Sequence, residues 1–260
     1  NGDSSTSSVH QFHNMQEDDL VDWNKPILGQ VTKLGENYFT WVHQPVDTSL
    51  RLFHSDFVEF FSKCPWWMVP IVWVPVTIFL LYSAHAAMST QSVVWNLFGT
   101  EFTVTSLWLL PLVGFGILLW TFCEYTIHRW LFHMSPPHNW PILVLLHFIL
   151  HGQHHKSPMD RMRLVFPTVP ASIFATAIYS AYSLISPAPV AQALFAGTLI
   201  GYMAYDLTHY YIHHGSPIPF YFASLKRYHV KHHFETQQLG FGISSKLWDY
   251  PFGTLIPDSD

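Results

Sequence analysis

Apolar residues gather in four long stretches, and polar residues are largely confined to the connections. The stretches cover about 66–82, 104–123, 168–185 and 189–208. Each approaches the roughly 20 residues that a membrane-spanning helix needs. Pro70, Pro75 and Pro111 lie inside two of them and predict kinks. A further apolar run, Ile142–Leu150, is too short to span. Upstream, Leu52, Phe53, Phe57, Phe60 and Phe61 recur near helical spacing, which predicts an amphipathic interfacial helix over 50–63. Residues 1–20, rich in Ser, Asn, Gln and Asp, read as a linker. Three regions result: the linker 1–20, a collar with its interfacial helix over 21–63, and a membrane domain over 64–260.

Composition supports the membrane reading. Hydrophobic residues make up 49% of the chain and charged residues only 11%, against about 25% charged in a soluble domain. A net charge of −5 offers no basic surface for nucleic acid. Cys64 and Cys123 form no framework spacing, so no disulfide scaffold is expected. The chain opens on Asn1 without a secretory signal, as a fragment or processed product would. None of the twelve Lys and Arg residues falls in 64–128 or 164–225. With four spans, the connections 83–103 and 186–188 are free of basic residues and therefore external or lumenal. The collar, residues 124–167 and the C-terminal region are then cytosolic.

The histidines carry the candidate chemistry. Ten of them form four clusters, His128-x4-His133, His151-x2-His154-His155, His209-x3-His213 and His229-x2-His232-His233. All four clusters fall on the cytosolic side of the charge-derived topology. Imidazole is the commonest metal ligand near neutral pH, and ten are too many for one ion. On a helix, residues three and four apart share a face, while adjacent residues differ by about 100°. Neighbouring histidines can therefore serve two ions. Helical phase suggests His128, His151, His154, His229 and His232 on one ion, and His133, His155, His209, His213 and His233 on the other. A cysteine-free imidazole set suits iron, zinc, copper or nickel, and it is unlike the usual structural zinc site. Glu124, one turn before His128, and Asp206, three residues before His209, are candidate carboxylates for holding an imidazole N–H. His10, His13, His43, His54 and His85 read as structural or solvated. His138, His147 and His214 lie near clusters but outside the repeated spacing.

The strings EYTIHRWLFH, HGQHH, HYYIHH and YHVKHHF resemble the membrane fatty acid hydroxylase and sterol desaturase superfamily. The flanking strings LVDWNKPILGQV, WVHQPV, RLFHSD, RLVFP and GFGISSKLWDY resemble its fatty acid 2-hydroxylases. The resemblance implies an all-α integral membrane protein of the endoplasmic reticulum, with four transmembrane helices and a cytosolic helical cap holding a histidine-rich dimetal site. It implies hydroxylation of C2 of long and very long chain fatty acyl groups for 2-hydroxy sphingolipids. The cofactors would be O2 and two iron ions, with zinc an expected substitute in purified protein. Electrons would come from cytochrome b5 and its reductase. Family members commonly carry an N-terminal cytochrome b5 domain, whose haem motif His-Pro-Gly-Gly does not occur here. A sterol or sphingoid-base hydroxylase or desaturase would use the same histidines. A metal transporter predicts ligands at mid-membrane depth, and a zinc hydrolase predicts a three-ligand ion with a carboxylate base. Histidines near the ends of the spans do not fit the first, and ten histidines over-supply the second.

Overall fold

A computed structural model describes residues 20–218 and 220–257. The proposed linker, apart from Leu20, lies outside them, as do His10 and His13. The described residues are mostly helical. Five long helices are Met68–Thr90 (α1), Leu109–Thr126 (α2), Thr168–Ile185 (α3), Ala188–His214 (α4) and Phe220–Phe234 (α5). Three helical stretches, Met68–Thr90, Ser106–Phe132 and Thr168–Ile185, are long and apolar enough to cross a membrane. The all-α expectation needs one correction. The connection between the first two stretches is not plain loop: α1 runs on to Thr90, and an antiparallel hairpin follows, Val93–Leu97 (β1) paired with Thr100–Val104 (β2). Alternating β-branched and aromatic residues account for it (VVWNL and TEFTV). Of the prolines inside the first stretch, Pro70 falls in the first turn of α1, where no intrahelical N–H is needed, and Pro75 is interior.

The chain divides into two units. One combines residues up to Ser62 with Leu131–Asp160, and the other combines Lys63–Trp130 with Arg161 onward.

In the first unit the collar is a set of short turns around a buried core of Ile27, Val31, Tyr38, Trp41, Leu52 and Phe148, among others. The interfacial helix is only Asp56–Phe61, shorter than the apolar spacing predicts. Ser55 caps it by accepting from Val58 N, and Glu59 ties the preceding segment to it by accepting from Leu52 N and Phe53 N, both at 3.0 Å. Phe57, Phe60 and Phe61 on this helix are exposed. The apolar run at 142–150 becomes a helix, Pro141–His147, started by proline at its first position. It continues as a π-helical turn, Phe148–Gly152, and a last turn, Gln153–Lys156.

In the second unit α4 is the central element, packed against α1, α2 and α3. Glycines set the closest approach. A Cβ on Gly197 would lie 2.1 Å from Val113 O, and one on Gly116 would lie 2.1 Å from Leu194 O. Only hydrogen fits at this crossing of α2 and α4, the small-residue contact through which apolar helices approach closely. Wrapped by its neighbours, α4 tolerates buried polar residues such as Thr198 and Asp206. It is therefore less apolar than the helices around it. Helix α2 runs on into a second π-helical turn, Ile127–Phe132.

Candidate metal centre

In the second unit, α4 ends with His209 and His213 one turn apart, and α5 ends with His229, His232 and His233. The His229 Nε2 atom lies 3.1 Å from His209 Nε2, 2.9 Å from His213 Nε2 and 3.0 Å from His233 Nε2. The ligand atoms of all four lie within 4.8 Å of one another. A neutral imidazole nitrogen carries either one proton or one lone pair, so one Nε2 cannot make three hydrogen bonds to three other Nε2 atoms. The spacing is instead near that of neighbouring ligands around one ion at about 2.0–2.1 Å. The donor set fits a nitrogen-loving transition metal.

His128 lies in the π-helical turn after α2, edge-on to His232 with ring centroids 5.0 Å apart. Backbone carbonyls fix both rings. His128 Nδ1 donates to Phe241 O at 2.6 Å, and His232 Nδ1 donates to Leu239 O at 2.7 Å. A carbonyl can only accept, so Nδ1 holds the proton in each ring and Nε2 presents the lone pair. This is the tautomer a metal ligand needs.

In the first unit His151 Nε2 and His155 Nε2 stand 3.1 Å apart. The His133 ring meets both edge-on at 4.9 Å, and Phe132 stacks on His151. The His154 ring lies 5.4 Å from that of His151. All four histidines are buried. Lys156 anchors the end of this segment in the collar: its ammonium donates to Trp41 O at 2.8 Å and Gln44 O at 2.6 Å, and sits 4.4 Å above the Trp41 ring.

These pairings revise the division suggested by helical phase. His229 joins His209, His213 and His233. Each cluster brings together residues four apart. On an α-helix those positions are offset by about 40°, against about 60° for three apart. The π-helical turns at Ile127–Phe132 and Phe148–Gly152 also wind more slowly than an α-helix, so α-helical phase does not apply to His128 and His151.

The two carboxylates play a different part from the one expected. Glu124 takes no imidazole; it accepts from Ile243 N at 3.0 Å, Ser244 N at 2.7 Å and the Ser244 hydroxyl. Asp249 grips the same loop, accepting from Phe241 N and Gly242 N, both at 2.9 Å, and from the Thr254 hydroxyl at 2.8 Å. Between them they clamp the loop whose Phe241 carbonyl orients His128. Asp206 likewise accepts from Phe166 N at 3.3 Å, two residues after Leu164, whose backbone interacts with His209.

Residues 113–254 match the fatty acid hydroxylase family model, a range that contains all ten clustered histidines. The chain is 52% identical to the fatty acid 2-hydroxylase of Rattus norvegicus over 92% of its own length and 66% of the relative's. It is 42% identical to a dihydroceramide fatty acyl 2-hydroxylase of Arabidopsis thaliana, over 90% of this chain and 93% of that one. The chain belongs to the fatty acid hydroxylase family. Among solved structures, the hydroxylase domain visible in full-length scs7p matches with a TM-score of 0.80 and 32% identity, covering 98% of this chain and 91% of that one. The chain thus spans just under two thirds of the length of the rat relative.

Within this family fold, four residues have buried roles that the sequence does not single out: Leu239, Phe241, Asp249 and His147. The carbonyls of Leu239 and Phe241 carry no side-chain signature. Asp249 lies 16 residues beyond the last histidine cluster, although within the string GFGISSKLWDY. His147, outside the repeated spacing, is buried, and its Nδ1 meets Tyr38 OH at 2.5 Å. Burial holds its imidazole well below the usual range, at about 4, and pushes the Tyr38 phenol up. With the neutral ring's proton on Nε2, Tyr38 donates in this bond.

Proposed function

We propose that this protein hydroxylates C2 of long and very long chain fatty acyl groups destined for 2-hydroxy sphingolipids. The convergence of the His209, His213, His229 and His233 Nε2 atoms carries the reading, together with the relatives' activities in their names. The ten clustered histidines are the ligands of two iron ions, with zinc as the expected substitute in overproduced protein. Iron bound there supplies the O2 chemistry and C–H oxidation that amino-acid side chains lack.

The chain's own residues bind, orient and shield. Phe241 O and Leu239 O keep His128 and His232 in the Nδ1-protonated form. Glu124 and Asp249 hold those carbonyls in place, and burial of nine of the ten imidazoles keeps water from the ligands. Helix α4 is the fourth span: its 27 residues rise about 40 Å, enough to cross a bilayer. The histidines face the cytosol at the endoplasmic reticulum membrane, an orientation supported by the distribution of basic residues. The acyl tail lies among the spans and its head at the cytosolic interface, so C2 is reached by measuring from the head group. Cytochrome b5 and its reductase donate the electrons.

Iron-loaded protein supplied with cytochrome b5, its reductase and O2 tests this directly. Free acid, acyl-CoA and ceramide are offered in turn, with His229→Ala as control. Mass spectrometry is expected to detect a 2-hydroxy acyl product from one of them, and none from the variant. Hydroxylation of a sterol or a sphingoid base instead would replace this reading with its nearest rival.

A further inference from the structure

The hairpin between α1 and α2 ends in a conformation that its sequence does not favour. Phe98 and Gly99 form a two-residue loop with φ of +51° and +84°, the signature of a type I′ turn, which prefers Asn or Gly at its first position. A bulky aromatic residue with positive φ is an outlier. Asn96 steadies the turn by accepting from Gly99 N at 3.1 Å, but nothing in the hairpin uses the phenyl ring: Phe98 is 98% exposed.

The two faces of the hairpin differ. The register pairs Val93 with Val104, Trp95 with Phe102 and Leu97 with Thr100 on one face, and Val94 with Thr103 and Asn96 with Glu101 on the other. The first face is apolar apart from Thr100. It is buried at its base, where Val93 and Val104 join the core, and half-exposed at Trp95. The second face carries the hairpin's polar groups. Trp95 Nε1 donates to Ile185 O at 2.9 Å, tying the hairpin to the last residue of α3. Beyond β2, Leu107 and Leu110 are 85% and 78% exposed. The hairpin follows directly on one membrane-length helix, leads into another and bonds to the end of the third. Its only charged residue is Glu101.

We propose that the hairpin is an interfacial foot that lies in the lipid head-group layer. Phe98 and the exposed outer part of the apolar face at Phe102 enter the acyl boundary, while Asn96, Glu101 and Thr103 face water. An amphipathic element at the end of three apolar helices fits a bilayer surface, where aromatic rings are favoured. Phe98 keeps its disfavoured backbone because its ring is buried in lipid rather than in protein. The inference rests on these three helices crossing the membrane and is independent of the reaction catalysed.

The test places p-benzoylphenylalanine at position 98 of the full chain in phosphatidylcholine vesicles. A second preparation carries it at Phe79, an exposed position on α1. After irradiation, the peptide containing position 98 is expected to gain the mass of one phosphatidylcholine, as is the peptide containing 79. Lipid adducts at 79 with none at 98 would overturn the interfacial foot. Cross-linking of 98 to a second copy would also overturn it, in favour of a protein contact. No adduct at either position would refute the membrane-spanning reading of α1, and the foot with it.

Discussion

The two histidine groups use the same ligand but hold it in opposite ways. In the second unit, four imidazoles stand at the ends of two long helices, and their Nε2 atoms converge because α4 and α5 pack side by side. In the first unit, His133, His151 and His155 sit on or beside short helices and π-helical turns. Their α-helical winding is interrupted by π-helical turns, and the collar fixes the end that carries His155. Trp41 O and Gln44 O hold the Lys156 ammonium, and Val46 N donates to Lys156 O. Regular helices thus place ligands by packing, and the interrupted ones by being pinned. The two arrangements should fail differently.

The largest effect is expected where packing alone sets the geometry. In Gly197→Val the new Cβ would start 2.1 Å from Val113 O, and backbone cannot yield as a flexible side chain would. The strain should exceed about 3 kcal/mol, leaving little folded protein by size-exclusion chromatography in detergent. Normal yield and thermal stability would show that this crossing is not what holds the second group.

The pinned group should lose less. Lys156→Met keeps the stem over Trp41 but removes two charge-assisted hydrogen bonds. A cost of about 2–4 kcal/mol in unfolding is expected. Binding measured by metal titration should weaken, because Lys156 directly follows His155. An unchanged melting temperature would mean that the collar does not depend on this ammonium.

A finer comparison concerns the loop that orients His128 and His232. Glu124→Ala removes the acceptor for Ile243 N, Ser244 N and the Ser244 hydroxyl. The Phe241 carbonyl would loosen, and metal affinity should fall about 10–100-fold, the usual effect of losing support behind a ligand. Glu124→Gln, which keeps one acceptor oxygen, should recover part of it. Equal affinity in all three proteins would show that the loop is held by Asp249 alone.

This contrast also separates what could be read in the sequence from what could not. Long apolar stretches announced the three membrane-length helices, and the spacing His209-x3-His213 announced two imidazoles on one face. Both depend on local periodicity, which the chain displays directly. The partner of Glu124 is about 120 residues away, and the donors it holds are backbone amides identical at every residue. No side-chain pattern records such a bond. The π-helical turns were hidden for a related reason: one extra residue in a turn changes helical phase without changing composition. The hairpin at 93–104 is legible in its alternation of β-branched and aromatic residues, a signal that the absence of basic residues there does not carry.

The smallest expected effect is a pH dependence confined to the pinned unit. Burial lowers the His147 pKa from 6.5 to about 4, with the neighbouring His43 adding to the shift, and the neutral ring accepts from Tyr38 OH when its proton is on Nε2. Protonation would turn the Nδ1 acceptor into a second donor facing the phenol. The unfolded chain binds this proton more readily, so the contribution to stability is complete above about pH 6.5. It is lost as pH falls toward 4, amounting to about 1 kcal/mol by pH 6. Other histidines titrate in the same range, so the informative quantity is a difference. His147→Gln cannot take up the proton but keeps a side chain able to bond Tyr38. Its stability should fall less steeply than the parent's between pH 7.5 and 6 in detergent. Parallel curves would place the pH sensitivity among the other histidines and leave the Tyr38–His147 bond a matter of packing alone.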